Sequence, residues 1–389
     1  MIAQQTYKKL FVIIPDRLSD LIRKGEITER YYNPGNLFDE VHIIMINDDK
    51  PDSSKLQSTV GRAKLYLHNL PAGRNLFIKT LGWRPWLLRG WAAPAIELAE
   101  KIGPTMIRCH GANLNAYLAY RIKCILGIPY IVSLHTNMVE SKKIDRGGFL
   151  DRLAYWAQGT IEKLVLKHAD MVLPVYLPVV HRLEQMGIQN YVVCYNVLNP
   201  IFLQKKENYA LHDPVEVVSV GRQLKGKNPE NLIRAIATLP KVKLTLIGDG
   251  PLHTYLKQVA KDSEAEGRVE FIPSLSNDEL CRRLPDYDVF AAHTDYWEIP
   301  KSVLEPLLTG LPVVINRRLG LPVPELTEDV CISVDNTVDG YKLALERLMG
   351  DDEFRIKLGA GAFKKANSQW APSITEAKYM DIYSQVIAK

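Results

Sequence analysis

The chain has 389 residues, of which 47% are hydrophobic and 24% are charged, and its formal net charge at pH 7 is +5. A chain of this length exceeds one ordinary hydrophobic core and indicates two domains. The composition excludes a disordered or collagen-like protein, and no apolar run reaches the roughly 18 residues of a membrane-spanning helix.

The cysteines indicate the cellular compartment of the protein, and the charges indicate its possible partners. The five cysteines are scattered and lack CxxC spacing, which favours a reducing, cytoplasmic compartment and argues against a zinc site or a disulfide framework. Residues 1–200 carry 25 Lys and Arg against 17 Asp and Glu, whereas residues 201–389 carry 24 against 27. This asymmetry indicates either an anionic partner for the first half or a solvated basic surface.

Short apolar runs alternate with amphipathic stretches along the first half. The first run, Leu10–Ile14, is too short for a signal peptide and predicts a buried strand. Helical periodicity is present at Ala93–Ile102, Asn115–Leu126 and Gly159–His168. The further predicted strands are Val41–Met45, Lys64–Leu67, Met106–Cys109, Tyr130–Leu134, Met171–Val175 and Tyr191–Cys194.

The second half repeats this rhythm and predicts a second parallel sheet. Its predicted strands are Val215–Val220, Leu244–Ile247, Val269–Ile272, Val289–Ala292, Pro312–Ile315 and Val330–Val334. Two series of βαβ units predict an α/β protein with two Rossmann-like, doubly wound domains that face a central cleft. The turn-rich segment 196–214 marks their boundary. The predicted domains are 1–205 and 206–372, followed by a C-terminal helix at 373–389 that packs back toward the first domain.

The first informative motif follows the strand that ends at Val220. Gly221 and Arg222 open a basic loop that also holds Lys227 and leads into a helix near Pro229. Arginine and lysine side chains beside backbone amides and a helix N-terminus suit a diphosphate. A solvated basic turn is the alternative.

A second motif, Gly248-Asp249-Gly250-Pro251, follows the strand Leu244–Ile247. His253 stands where a dinucleotide fingerprint requires its third glycine, and no acidic ribose partner is placed as that fingerprint demands. The motif therefore predicts a strand-to-helix turn whose backbone borders the cleft, and it disfavours a nicotinamide-dependent dehydrogenase.

The third motif surrounds a predicted helix start at Pro300. Proline suits the first turn of a helix, and the free amides of that turn, including those of Ser302 and Val303, predict an anion site. Glu298 before the helix and Glu305 within it are expected to flank the anion and to accept hydrogen bonds from hydroxyl groups. Acids near a helix start can equally be dipole partners on a surface.

Taken in order, these motifs resemble the carboxyl-terminal domain of the retaining family 4 glycosyltransferases, which have the GT-B fold, and the resemblance covers nearly the whole chain. The family pattern continues with a valine-x-phenylalanine strand and a proline-valine-valine strand. Residues 196–202 are similar to the family's interdomain loop, and residues 132–136 to its strand-histidine turn. The matching positions are Gly221-Arg222, Lys227, Gly248-Asp249-Gly250-Pro251, Val269-Glu270-Phe271, Glu298 with Glu305, and Gly310-Leu311-Pro312-Val313-Val314.

The resemblance implies roles for single residues. Arg222 and Lys227 are expected to hold the donor diphosphate, and Glu305 the ribose. Glu298 is expected to contact sugar hydroxyls and His135 to face the transferred sugar, although on the residues alone His135 is a core histidine. The residues implied to bind the donor are Gly221, Arg222, Lys227, Gly248, Ile272, Pro273, Ser302, Val303 and Glu305, with the backbone at 272–273 meeting the base. Because arginine, lysine and amide groups can stabilise a leaving diphosphate, no metal and no cofactor are expected.

The glutamate pair departs from the family pattern. Six residues separate Glu298 from Glu305, one fewer than in the family. When the sequences are aligned on Pro300 and Glu305, the preceding loop is one residue short and Trp297 takes the place of the acid. The donor sugar cannot therefore be inferred from the family. The double glycine that usually follows the first strand is absent as well.

A basic, aromatic segment predicts a membrane contact. Residues 53–96 lack acidic side chains and contain three of the six tryptophans of the chain. Tryptophan and arginine mixed with leucine suit the headgroup zone of an anionic bilayer, and the alternative is a packed helix with core tryptophans. The residues predicted to contact a membrane are Trp83, Arg84, Trp86, Arg89 and Trp91.

The function predicted from these observations is a retaining, metal-independent glycosyltransferase of the hexosyltransferase type in cell-envelope glycan biosynthesis. Its expected partners are a UDP-sugar or GDP-sugar donor, a glycan or lipid-linked acceptor, and an anionic membrane surface, with no nucleic acid. The expected location is the cytoplasm, at the cytoplasmic face of the membrane. Two alternatives remain open: a non-transferring relative such as a nucleotide-sugar 2-epimerase, and a catalytically silent subunit that binds sugar nucleotides.

Overall fold

The computed structural model describes residues 7–135, 149–196, 202–318 and 322–388. These residues divide into two compact units. The first unit contains residues 7–135, 149–196 and 375–388, and the second contains residues 202–318 and 322–374. The chain thus changes unit between residues 196 and 202, a few residues before the predicted division at 205 and 206.

The described residues of the first unit form a six-stranded parallel sheet in the order β3-β2-β1-β4-β5-β6. Its strands are β1 (Lys9–Ile14), β2 (Glu40–Met45), β3 (Lys64–Asn69), β4 (Met106–His110), β5 (Tyr130–Leu134) and β6 (Met171–Pro174). The helices are α1 (Leu18–Lys24), α2 (Arg74–Lys79), α3 (Arg89–Ile102), α4 (Leu114–Leu126), α5 (Phe149–His168) and α6 (Pro178–Gln185). The central strand β1 is almost wholly apolar and buried, as a parallel strand covered on both faces must be.

The second unit contains another six-stranded parallel sheet within its described residues, in the order β12-β11-β10-β7-β8-β9. Its strands are β7 (Val215–Val220), β8 (Val242–Ile247), β9 (Val269–Ile272), β10 (Val289–Ala292), β11 (Val313–Asn316) and β12 (Ile332–Val334). The helices are α7 (Glu230–Ala237), α8 (His253–Asp262), α9 (Asn277–Arg283), α10 (Lys301–Thr309), α11 (Val338–Gly350) and α12 (Asp352–Gln369).

The two sheets share one strand order. In each, the first strand lies beside the fourth, and the chain winds outward in opposite directions from this central pair. Loops that leave the carboxyl ends of such a pair diverge and leave a crevice, called the switch point, where doubly wound sheets bind ligands. The predicted α/β class with two doubly wound domains is therefore confirmed, and in the second unit the switch point lies between β7 and β10.

One predicted strand, Tyr191–Cys194, is wrong. The segment runs beside β6, where the amides of Val192 and Cys194 donate to the carbonyls of Val172 and Pro174 at 3.0 and 2.9 Å. Within the described residues, however, it forms a bridge at Tyr191 and no regular strand. Pro174 has no amide hydrogen and cannot return a hydrogen bond, so the ladder cannot continue.

The last described helix is α13 (Pro372–Ile387), which begins one residue before the predicted start at 373. From Thr375 onward its residues belong to the first unit. The carboxylate of Glu376 accepts hydrogen bonds from the guanidinium of Arg30 at 2.7 and 3.0 Å and from the amide of Gly35 at 2.9 Å. Tyr383 and its neighbours on the helix are buried in one of the core clusters of that unit.

Candidate active site

The described residues of the second unit form a pocket at the switch point of their sheet. About 430 Å³ of open space lies between the carboxyl ends of β7, β8 and β10 and the N-termini of α7 and α10. Five residues predicted to bind a donor line the pocket: Gly221, Arg222, Lys227, Ser302 and Val303.

The loop that follows β7, residues 221–228 (loop A), packs closely against the turn at Gly248. A Cβ atom on Gly248 would lie 2.1 Å from the carbonyl oxygen of Gly221, and one on Gly250 would lie 2.3 Å from the carbonyl oxygen of Gln223. Gly248 also has a φ of +134°, which other residues rarely adopt. The glycines of this turn therefore serve close backbone packing against loop A.

Gln223, which the sequence motifs did not single out, joins loop A to the same turn. Its amide donates to the carbonyl of Asp249 and its carbonyl accepts from the amide of Leu252, both at 3.0 Å. Its side-chain Nε2 donates to the carbonyl of Gly248 at 2.8 Å, and its Oε1 lies 2.8 Å from Nδ1 of His253. Its place inside a basic loop is the one sequence signal that pointed to it.

Loop A is also joined to residues 293–300 (loop B), which connect β10 to α10. The amide of Asn228 donates to Nδ1 of His293 at 2.9 Å, and the amide of Asp295 donates to the carbonyl of Gly226 at 2.8 Å. Nε2 of His293 lies 3.1 Å from Oδ1 of Asp295, although not in hydrogen-bonding orientation. His293 lines the pocket and was missed, because a histidine after a buried strand has no distinctive spacing.

An ion pair links the two loops at the pocket. Nζ of Lys227 lies 2.8 Å from Oε1 of Glu298, and the two side chains are 22% and 17% exposed. The same ammonium lies 5.7 Å from the ring centroid of Tyr296. Among the residues that the structure describes, no group of three or more His, Cys, Asp and Glu side chains is placed to hold a metal ion.

The N-terminus of α10 forms one wall of the pocket through Ser302 and Val303. The helix begins at Lys301, directly after Pro300, as predicted. The prediction that the amide of Val303 is free is wrong, because that amide donates a hydrogen bond to the carbonyl of Pro300 at 2.9 Å. This hydrogen bond, between residues three apart in sequence, tightens the first turn of the helix. Val303 therefore lines the pocket, but its backbone amide is not free to bind an anion.

The other predicted donor residues, Gly248, Ile272, Pro273 and Glu305, do not line the pocket. The carbonyl of Ile272, at the end of β9, accepts from the amide of Gly248 at 2.8 Å, and Pro273 follows it. Glu305 is buried in α10, and its Oε1 accepts a hydrogen bond from Nδ2 of Asn277 at 2.7 Å. This carboxylate is thus fixed by a side chain at the start of α9.

His135 lies in the first unit, directly after β5. Its ring centroid is 5.4 Å from that of His110, which ends β4, and its carbonyl accepts a hydrogen bond from the hydroxyl of Tyr176. The rest of the predicted strand-histidine turn, at residue 136, lies outside the described residues, as does most of the predicted interdomain loop 196–202.

The predicted membrane residues divide into two groups. Trp86 is 56% exposed, and the guanidinium of the exposed Arg84 lies 5.3 Å from its ring centroid. Arg89, at the start of α3, is exposed too. Trp83 and Trp91 instead pack against the core of the first unit, which corrects the prediction for these two side chains in favour of core packing. Within the described chain, no helix has both the length and the apolar character to cross a bilayer.

Comparison with known proteins adds to this geometry. Residues 202–365, which include every residue that lines the pocket, match the family described as glycosyl transferases group 1. The match lies within the second unit, so these residues are similar to group 1 glycosyltransferases. Over 178 residues the chain is 30% identical to the lipopolysaccharide core biosynthesis glycosyltransferase LpsE of Rhizobium meliloti, covering 45% of this chain and 50% of that relative. The chain therefore spans about half the length of this curated glycosyltransferase.

Solved structures are similar in fold over nearly the whole chain. Sucrose-phosphate synthase from Thermosynechococcus elongatus has a TM-score of 0.73 at 14% identity, over 98% of this chain and 99% of that one. HepE from Anabaena, solved in complex with UDP, also has a TM-score of 0.73 at 14% identity, over 97% of this chain and 100% of that one. The predicted GT-B fold is confirmed.

Proposed function

We propose that this protein is a glycosyltransferase that moves a sugar from a UDP-sugar or GDP-sugar to a glycan or lipid-linked acceptor. The observation that carries the proposal is the pocket at the switch point of a glycosyl transferases group 1 domain. Arg222, Lys227 and the first turn of α10 converge there, and their charges and donors suit a diphosphate. The UDP complex of HepE supports a nucleoside diphosphate donor.

In the proposed reaction, the bond between the anomeric carbon and the diphosphate oxygen breaks, and a hydroxyl oxygen of the acceptor bonds to that carbon and releases its proton to water. The leaving nucleoside diphosphate gains negative charge. The guanidinium of Arg222 and the ammonium of Lys227 are proposed to stabilise that charge. Two side-chain cations can supply this stabilisation without a divalent ion, so we propose metal-independent transfer. Retention of the anomeric configuration is proposed from the family resemblance alone, and no enzyme nucleophile is assigned.

The remaining donor contacts are proposed from the same resemblance. Glu305 is assigned to the ribose hydroxyls and the backbone at 272–273 to the base. Glu298 is assigned to hydroxyls of the transferred sugar, because it lies in loop B beside the ammonium of Lys227. His135 is assigned to the sugar from the first unit.

The acceptor is proposed to belong to a cell-envelope glycan, since the relative LpsE is named for lipopolysaccharide core biosynthesis. The exposed Trp86 and Arg84 support a peripheral contact with an anionic membrane, where a lipid-linked acceptor is presented. We therefore propose that sugar transfer takes place at the cytoplasmic face of a membrane.

The proposal is tested in two steps. First, thermal unfolding of the protein is followed with a panel of UDP, GDP and their sugars, because a ligand at 100 times its dissociation constant adds about 2.7 kcal/mol of stability. Second, the stabilising nucleotide sugar is incubated with lipid-linked glycans, and transfer is measured by mass spectrometry.

The outcomes separate the proposal from its two alternatives. Sugar transfer supports a glycosyltransferase. Conversion of the donor to an epimer without any acceptor identifies a nucleotide-sugar epimerase instead. Tight binding with neither transfer nor donor hydrolysis identifies a catalytically silent subunit, and the absence of any stabilising nucleotide rejects the donor pocket.

A further inference from the structure

Loop B carries Glu298 and is anchored in the protein by its apolar residues. Trp297 and Ile299, on either side of Glu298, are 8% and 2% exposed. Burial of these neighbours draws the backbone of the loop away from water, so its carbonyl groups need partners within the protein. The partners of two of these carbonyls come from a single arginine outside every motif of the sequence.

Arg318 follows β11 and is 8% exposed. Its Nε donates to the carbonyl of Tyr296 at 3.1 Å, and its Nη2 lies 3.5 Å from the carbonyl of Glu298. Its Nη1 donates to the carbonyl of Asn316. The planar guanidinium thus spans loop B on both sides of Trp297 and ties it to the end of β11, a geometry that lysine cannot reproduce.

Asn316, two residues earlier, binds the start of the same loop. Its Oδ1 accepts from the amide of Thr294 at 2.8 Å, and its Nδ2 donates to the carbonyl of Thr294 at 3.1 Å. Asn316 and Arg318 therefore fix alternate residues of loop B against one strand end. Glu298 is the last residue in this series, and its side chain reaches Lys227 in the pocket.

The position of Arg318 is costly for a charged group. Burial lowers the pKa of Arg318 to about 10, because exclusion of water disfavours the cation. Among the described residues, the acceptors that hydrogen-bond its side chain are carbonyl and amide oxygens, not carboxylates. Hydrogen bonds to these oxygens offset part of that cost.

We infer that Arg318 is a positioning residue that holds the backbone of loop B so that Glu298 faces the donor sugar. This inference rests on the proposed function, because it assigns a role within donor recognition. According to this inference, recognition of the sugar depends on the contact of Arg318 with loop B as well as on the two glutamates. It also explains how a loop that is one residue short can hold an acid 2.8 Å from a lysine that lines the pocket.

The test compares Arg318→Met with Arg318→Lys and with the neighbouring control Arg317→Met. Arg317 is 62% exposed and pairs with Asp335, so its replacement removes the same charge without touching loop B. Each variant is made in the native background and in a Glu298→Ala background. The measurements are nucleoside diphosphate affinity by calorimetry, and kcat and KM with the nucleotide sugar.

We expect Arg318→Met to lower kcat by about tenfold or more while diphosphate affinity changes by less than about threefold. In the Glu298→Ala background the same substitution is expected to change kcat by less than about twofold, because the two residues act as one unit. Arg318→Lys is expected to recover part of kcat, and Arg317→Met to leave it unchanged.

Three results would overturn the inference. Equal losses of kcat in both backgrounds would show that Arg318 acts independently of Glu298. A native kcat in Arg318→Met would show that the loop needs no such support. If Arg318→Met does not fold, Arg318→Lys must still show non-additivity with Glu298→Ala, and additive losses reject the role. A native protein that binds and transfers no nucleotide sugar rejects the proposed function itself.

Discussion

Lys227, which lines the pocket of the second unit, forms an ion pair with Glu298, with Nζ and Oε1 2.8 Å apart. The pair joins loop A, which carries the proposed diphosphate ligands, to loop B, which carries the proposed sugar ligand. A carboxylate on Lys227 stands where a phosphate oxygen of a donor is expected to bind. Binding of the donor is therefore expected to replace the carboxylate of Glu298 at Lys227 with a phosphate oxygen. The displaced Glu298 would then be available to contact the sugar.

Glu298→Gln is expected to tighten the binding of free nucleoside diphosphate by about two- to fivefold, because it removes a competing anion worth a fraction of a kcal/mol in this partly exposed pair. Turnover of the nucleotide sugar is expected to fall in the same variant. Calorimetry and initial rates measure the two effects. Glu279→Gln is the control, since Glu279 pairs with Arg283 on an exposed helix surface. Weaker diphosphate binding by Glu298→Gln would contradict the exchange.

Arg222→Ala and Lys227→Ala are each expected to weaken nucleoside diphosphate binding by about 10- to 100-fold, the value of one charge-assisted phosphate contact. The matched control is Lys225→Ala, an exposed residue of loop A that does not line the pocket. Calorimetric dissociation constants, with circular dichroism to verify folding, provide the measurement. If both pocket variants bind nucleoside diphosphate with native affinity, the donor binds elsewhere.

Gly248→Ala is expected to lower the free energy of unfolding of the second unit by about 1–3 kcal/mol, since its new Cβ meets the backbone of Gly221 at a φ of +134°. Displacement of loop A should weaken diphosphate binding as well. Gly267→Ala is the control, because a Cβ there meets nothing within 4 Å. Urea denaturation of both variants is the measurement, and equal stabilities would refute the packing argument.

Removal of exposed apolar side chains beside α2 should weaken membrane association. Leu81 and Trp86 are 68% and 56% exposed, and Arg84 lies over the Trp86 ring. The double variant Leu81→Ser, Trp86→Ala is expected to sediment less with anionic liposomes, and added salt should lower binding of the native protein. Leu343→Ser, which changes an equally exposed leucine of the second unit, should not alter binding. If the native protein does not bind anionic liposomes at low salt, the predicted membrane contact is wrong.

A histidine pair on the first sheet gives the stability a pH dependence. Nδ1 of His42 lies 3.1 Å from Nε2 of His68, and burial lowers the pKa of both imidazoles from 6.5. Glu40 and Lys9 lie nearby and act on the pKa of His42 in opposite directions. Since the unfolded chain binds more protons below pH 6.5 than the folded chain, the free energy of unfolding should decrease as the pH falls through that value.

Urea denaturation at about pH 7.5 and about pH 5.5 measures this effect above the range in which carboxylates titrate. His68→Gln removes one of the two imidazoles and should show a smaller loss of stability between the two pH values. The other histidines are common to both proteins, so the difference isolates the pair. An identical pH dependence in the variant would show that this pair does not titrate with unfolding.

Sequence periodicity was enough to predict the two parallel sheets, because each buried strand of a doubly wound fold must be an apolar run between helices. The position of the pocket followed as well. Gly221, Arg222 and Lys227 come directly after a central strand, and carboxyl ends of central strands meet at the switch point. Local order along the chain therefore indicated that the proposed phosphate ligands lie at the carboxyl end of a strand.

Side-chain contacts between distant segments could be decided only by the tertiary structure. Nothing near Arg318 in sequence indicates that it binds the carbonyls of Tyr296 and Glu298, 22 and 20 residues away. Likewise, Trp83 and Trp86 lie in the same basic segment and cannot be distinguished by sequence, yet Trp83 packs against the core and Trp86 is exposed. Periodicity reports which face of an element is buried, whereas contacts across loops depend on how two separate backbones approach each other.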